Sequence, residues 1–318
     1  MSGILEQFSF SVSITGPICL MLLLGILLRR WKLINDNFIE IASKLVFQVT
    51  LPALLFLSII KSNTITSDSI PLVAFGVIAN TLFFLFASIT TKIIIKHPAQ
   101  QGVIIQGAFR SNTAIIGLAY VANAYGESGV ALAAVYVAAV TVLYNILAVI
   151  ALTPKSDNSN IKAYGIMMKS ITKNPLIIAI VLALIVYELT IPVPEVIIHA
   201  GQYFADMTLP LALLCTGGSL DTRQLKHDKA ANILASGYKL LLCPLFITLG
   251  AYWYGFTGMQ LGLVFFMTAS PAAAASYVMA RAMGGDATLA ANIIALTTVG
   301  SILTCSLGIM LLSTLNLM

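Results

Sequence analysis

Apolar runs long enough to cross a lipid bilayer recur along the whole chain, and that recurrence leaves few folds open. A spanning helix needs roughly 20 apolar residues. In hydrocarbon every backbone N–H and C=O must be paired within the protein, so only helices and closed barrels cross it. A barrel would read as short segments of alternating polarity, whereas these runs are continuous. The 318 residues are 59% hydrophobic and 9% charged, against about a quarter charged in a soluble domain. The chain therefore reads as an all-α polytopic membrane protein, with the lipid bilayer as its surroundings. A net charge of +5 is no argument for nucleic acid, because cytoplasmic loops of membrane proteins gather Lys and Arg. Cys19, Cys215, Cys243 and Cys305 lie in apolar segments with no CxxC pair, so no disulfide, metal or other cofactor is expected. The first apolar run lacks a preceding basic region and is expected to be a retained helix, not a cleaved signal peptide.

Ten spans can be drawn: Phe10 to Leu28, Asn37 to Ile60, Ile70 to Ile95, Ala99 to Ala122, Ser128 to Leu152, Asn174 to Leu189, Val196 to Leu220, Lys229 to Phe256, Met259 to Met283 and Ala287 to Leu315. Basic residues test the count. Arg29, Arg30, Lys32, Lys92, Lys96, Lys155, Lys162, Lys169, Lys173, Arg223, Lys226, Lys229 and Arg281 fall in loops on one side, and Lys61 alone falls on the other. The positive-inside rule then puts both termini on the non-cytoplasmic side.

The chain also reads as written twice. QVTLPALLF, from Gln48 to Phe56, returns as DMTLPLALL, from Asp206 to Leu214, with Pro52 and Pro210 separated by 158 positions. Pro17 matches Pro175 at the same offset; Ser111 matches Ser270, and Gly126-Glu127 matches Gly285-Asp286, at 159. The repeat divides the chain into 1–152, a joining segment 153–173 and 174–318. Each half holds five spans, an odd number, so the second half enters the membrane inverted. Inverted repeats belong mostly to secondary transporters, with the substrate site near the midplane where the repeats meet. The joining segment fits either a surface amphipathic helix around IKAYGIMMKSI or a flexible linker beginning TPKSDNSN.

Two spans carry interruptions at corresponding places. The fourth holds Arg110, Ser111, Asn112 and Thr113; the ninth holds Ser270-Pro271. Ser, Asn and Thr favour helix N-caps, and proline favours the first helical position and cannot donate to the carbonyl four residues back. Each span is expected to be two half-helices meeting near mid-membrane. Half-helix N-termini offer positive partial charge and N–H donors, and Arg110 adds a full charge where charge is costly and functional by default. Together Arg110, Ser111, Asn112, Thr113, Ser270 and Pro271 make a candidate site for an anion, most simply a carboxylate matching the planar guanidinium fork. Two readings of Arg110 stay open: ligand or gate contact, or an ion pair with Asp206. Asp206 lies about ten residues into its span, roughly 15 Å deep, and Lys239 lies about as far into the next. They are expected either to pair or, for Asp206, to couple transport to H+ or Na+ through proton or cation binding. Pro52 and Pro210 are expected to kink paired spans.

FRSNTAIIGL in the fourth span and SPAAAASYVMA in the ninth, with this span count and repeat, resemble the auxin efflux carrier family. Its bacterial members include malate and malonate permeases, and its plant members are the PIN auxin exporters. The resemblance covers essentially the whole chain. It implies a fold like that of bile-acid symporters and sodium/proton antiporters. In that fold spans four and nine cross at their breaks, spans 1, 2, 6 and 7 form a scaffold, and spans 3–5 and 8–10 form a moving transport domain. It implies a location in a bacterial cytoplasmic membrane and a homodimer. The family usually has proline in a GLP-type motif after the fourth-span Asn; here GLAY puts Ala119 there, leaving the break to Asn112, Thr113 and Gly117. The expected function is secondary transport of a small organic anion by alternating access. A carrier coupled through Asp206 is the alternative, followed by a non-transporting membrane sensor. No chemistry of an enzyme is expected.

Overall fold

The computed structural model describes residues 2–61, 65–153, 174–220 and 229–318. Most of the joining segment lies outside the described residues, as do Lys155, Lys162, Lys169, Lys173, Arg223 and Lys226. Among the described residues the chain is helical, and the one β-type pairing is an isolated antiparallel bridge between Ser111 and Ala272.

Helix α1 (Ser2–Arg30) ends on Arg29 and Arg30, cations placed where the helix dipole favours them. Asn35 caps α2 (Asp36–Leu45) by accepting from Phe38 N at 2.9 Å. A π turn at Val46–Thr50 carries the chain into α3 (Leu51–Ile60). Pro52 cannot donate to the Gln48 carbonyl and its ring crowds it; the wider turn absorbs that conflict without ending the helix. The same device precedes Pro244, where α9 (Lys229–Gly237) passes through Tyr238–Leu242 into α10 (Cys243–Tyr254). Pro210 instead lies inside the unbroken α8 (Glu195–Ser219). Pro52 and Pro210 thus differ in their local backbone: only the first sits beside a π turn.

Helix α4 (Ile65–Ile94) is followed by α5 (Pro98–Phe109), which begins on Pro98 and stops at Arg110. A third π turn, Thr113–Gly117, leads into α6 (Leu118–Leu152). Within α6, Gly126 has φ 62° and ψ −151°, a conformation essentially confined to glycine. It divides α6 at the point where the sequence separates spans four and five. Asn174 caps α7 (Pro175–Glu188) through Leu176 N. Helix α11 (Gly258–Ala269) stops at Ser270, α12 (Ala275–Ala282) follows, and Asp286 opens α13 (Ala287–Thr314) by accepting from Leu289 N at 2.9 Å. Asp286 is thus the N-cap of α13.

Among the described residues six helices are long and apolar enough to cross a membrane: Gln7–Arg30, Asp36–Ile60, Ser69–Ile94, Thr113–Leu152, Lys229–Tyr254 and Ala287–Thr314. The other four drawn spans miss that measure for identifiable reasons. α5 and α11 are cut short by their breaks, α7 has 14 residues, and α8 carries Glu195, Gln202 and Asp206. The outward faces are apolar, with Leu20, Ile93, Leu303 and Trp253 exposed, as lipid contact requires.

Helices α1 and α8 pack together, and α3 packs on α7 and α8. In lipid, close backbone approach replaces the hydrophobic effect as the force between helices, so small residues line such contacts. A Cβ on Gly25 would meet the Leu214 carbonyl oxygen and, at 2.8 Å, Gly218 N; one on Gly217 would meet the Leu22 carbonyl group. Gly16 is also in α1, but its added Cβ would reach only Val12 at 3.6 Å. Gly25→Ala and Gly217→Ala are expected to lower the melting temperature in detergent, since overpacking costs about 1–3 kcal/mol. Gly16→Ala, which gains helix propensity without a clash, should match or exceed the wild type. Equal melting of all three variants would contradict this account of the α1–α8 contact.

Candidate functional site

The two breaks meet. After α5 the backbone extends through Arg110 (φ −78°, ψ 95°), and after α11 it extends through Ser270 (φ −61°, ψ 147°). The two stretches pair antiparallel: Asn112 N donates to Pro271 O at 2.7 Å, and Ala273 N donates to Arg110 O at 3.0 Å. Each interrupted helix loses its own ladder here, and each supplies what the other lacks. Pro271 leaves one acceptor without its helical partner, because the Met267 carbonyl has no N–H four residues on. Ser270 Oγ donates to that carbonyl at 2.9 Å, and Thr297 Oγ1 accepts from Ala272 N at 3.1 Å.

The capping expected of this region is corrected. Ser270 serves the helix that ends, not one that begins, and α12 starts only at Ala275. Asn112 precedes the π turn but makes no side-chain cap bond. The N-termini at Thr113 and Ala275 both lack side-chain caps. Gly117 closes the π turn through its N–H on Asn112 O at 3.0 Å, and an added Cβ would press on Met267 Sδ at 3.1 Å. Thr113 is buried within that turn.

Two cations are buried at this crossing. Lys239, 0% exposed, reaches from the π turn after α9. Its Nζ donates to Ser111 Oγ and, at 2.8 Å, to Thr268 O in the last turn of α11. Arg110, 6% exposed, donates from Nη2 to Asn145 Oδ1 at 2.8 Å and faces Met279 Sδ with Nη1 at 2.6 Å. Both charges sit at carbonyl ends of half-helices, where the dipole favours a cation. Asp36, Glu40, Glu127, Glu188, Glu195 and Asp206 are exposed and Asp286 is half-buried, and the ion pairs among the described residues, Arg29–Asp36 and Lys44–Glu40, lie at the surface.

Asp206 pairs with neither cation, which corrects both ion pairs raised from the sequence. It is exposed, accepting from Gln202 Nε2 at 2.7 Å, while Lys61 Nζ donates to Gln202 Oε1 at 2.6 Å. This relay of three side chains lines a cavity of about 510 Å³ between α3, α6 and α8, together with Glu127 and Ser58. Equal depth along successive spans did not bring Asp206 and Lys239 together, because α8 packs on α1 and α3 while the turn that carries Lys239 packs on α5, α11 and α13. Sequence reasoning missed Gln106, Asn145, Thr268, Met279 and Thr297. Gln106 and Asn145 left a signal as amides in apolar runs; the others left none.

Residues 15–309 match the family described as membrane transport protein. The chain belongs to this family, that of the auxin efflux carriers. It is an integral, multi-pass membrane transporter. Its relatives include an uncharacterized transporter of Methanothermobacter thermautotrophicus, 22% identical over 94% of this chain and 98% of the relative. A second, an uncharacterized transporter of Methanocaldococcus jannaschii, is 23% identical over 91% of this chain and 95% of the relative.

The hydroxyl–carbonyl bond at the ninth-span break gives a test of how a membrane transporter holds such a break together. Ser270→Ala should cost about 1–3 kcal/mol by orphaning the buried Met267 carbonyl. In a Pro271→Ala background the same substitution should cost clearly less, because replacing the proline restores an N–H for that carbonyl. Additive losses in a double-mutant cycle of detergent melts would contradict the assignment.

Proposed function

We propose that the chain is a secondary transporter of a small organic anion, most simply a carboxylate, that works by alternating access at the crossing of the two broken helices. One observation carries the reading: Arg110 and Lys239 are buried there, and no ion pair among the described residues reaches either cation. An uncompensated buried charge costs several kcal/mol, and inside a membrane such a charge marks a functional site by default. The cations answer the carbonyl ends of the half-helices. The N–H ends at Thr113 and Ala275 lack side-chain caps and keep their positive potential for a ligand. Arg110, Ser111, Asn112, Thr113, Ser270 and Pro271 frame the seat; Lys239 joins them as its second charge.

In this reading α5 with the start of α6, α7, α8, and α11 with α12 complete a set of ten spans in two inverted halves, with both termini outside the cytoplasm. The packing of α1 on α8, and of α3 on α7 and α8, supports a scaffold of spans 1, 2, 6 and 7 against which the crossing moves. Asp206, facing the 510 Å³ cavity, stands apart from the seat. A coupling role for it in H+ or Na+ movement would act through that cavity and not through direct contact with the anion.

In proteoliposomes the wild type should take up at least one of malate, malonate and indole-3-acetate. Arg110→Ala should weaken binding about ten- to hundredfold, the worth of a charge-assisted hydrogen bond, and Asn112→Ala should abolish transport. Both should melt near the wild-type temperature. Asp206→Asn should retain ligand binding. Full transport by both crossing variants would contradict the site.

A further inference from the structure

Arg110 divides its guanidinium between two unlike partners. Nη2 is fixed by Asn145 Oδ1, an ordinary acceptor, whereas Nη1 faces the thioether of Met279. A second donor converges on the same sulfur: Gln106 Nε2, 3.8 Å away. Gln106 lies one helical turn before Arg110, is fully buried, and leaves its Oε1 without a partner. Thioether sulfur is a weak acceptor, so a cation and a buried amide are both aimed at a group that satisfies neither. Two fully formed oxygen contacts, as a carboxylate offers, match that pair of donors better.

Met279 is also placed to leave. It belongs to the eight-residue helix α12, whose start has no side-chain cap. It is half-buried, while Arg110 beneath it is buried, and its neighbour Val278 is exposed. Methionine is unbranched, with rotatable bonds that let it vacate a site without backbone movement.

We propose that Met279 is the plug of the anion seat: its thioether holds the place between Arg110 Nη1 and Gln106 that a ligand carboxylate takes, and it swings aside on loading. This rests on the crossing being the anion site. Gln106 becomes a ligand contact, and the bulk at position 279 sets how readily a carboxylate displaces the plug. The empty protein is thereby held in a state that is not fully competent to bind, which weakens the observed affinity by the fraction of time the plug is out.

Affinities of the purified full-length protein for malonate, malate, benzoate and indole-3-acetate, measured by calorimetry in detergent, test this. Met279→Ala should bind the preferred carboxylate tighter, on the order of tenfold, or bind one the wild type does not. Met279→Val, also shorter, should tighten binding in the same direction and serves if the alanine variant does not fold. Met279→Leu, which keeps the bulk, should stay near wild type. Adding Arg110→Gln to Met279→Ala should remove the gain. If the wild type binds and both shortened variants bind equally or more weakly, the plug is overturned while the anion site stands. If neither the wild type nor the shortened variants bind any of the four, both are overturned.

Discussion

A backbone amide inside hydrocarbon has no water to turn to, and the centre of this protein is organised around that constraint. Two helices stop in the middle of the apolar layer, which would orphan several N–H and C=O groups at costs of several kcal/mol each. The breaks survive because they are laid against each other. Asn112 N, Pro271 O, Ala273 N and Arg110 O close a short antiparallel pairing, and Ser270 and Thr297 supply the remaining bonds from their hydroxyls. Neither break is stable without the other, so the crossing is a single structural unit assembled from two stretches far apart in the chain.

The electrostatics follow from the same geometry. Ending two helices in one region brings together carbonyl ends and N–H ends. Arg110 and Lys239 occupy the carbonyl ends, Lys239 by a direct bond to Thr268 O. The opposite ends are left positive and uncapped. Under the proposed function, this arrangement of helix ends and cations suits a negatively charged ligand.

Much of the all-helical, membrane-spanning character was legible in the sequence because span length and apolarity are local properties. So were the positions of the breaks, since Arg110 to Thr113 and Ser270-Pro271 are polar or helix-breaking where an uninterrupted span would be apolar. What each break does with its polar groups was not legible. Ser270 resembles an N-cap in sequence, yet its hydroxyl turns back to Met267 because Pro271 has emptied that carbonyl. Lys239 and Asp206 look like partners when only depth is counted; their helices pack against different neighbours, and a single sequence does not record which spans meet. Asn145, Met279 and Thr297 enter the site from α6, α12 and α13, and, although an amide in an apolar run marks Asn145, no local pattern in a single sequence records such a meeting.

The central claim is that the crossing of the two broken helices is where an organic anion sits. Anomalous diffraction from crystals grown with para-bromobenzoate tests it directly, because the heavy atom reports where the carboxylate has bound. The account predicts a bromine peak beside Arg110 and Lys239, at the crossing where Asn112 meets Pro271. A peak confined to the Lys61–Asp206 cavity, with none at the crossing, would contradict it.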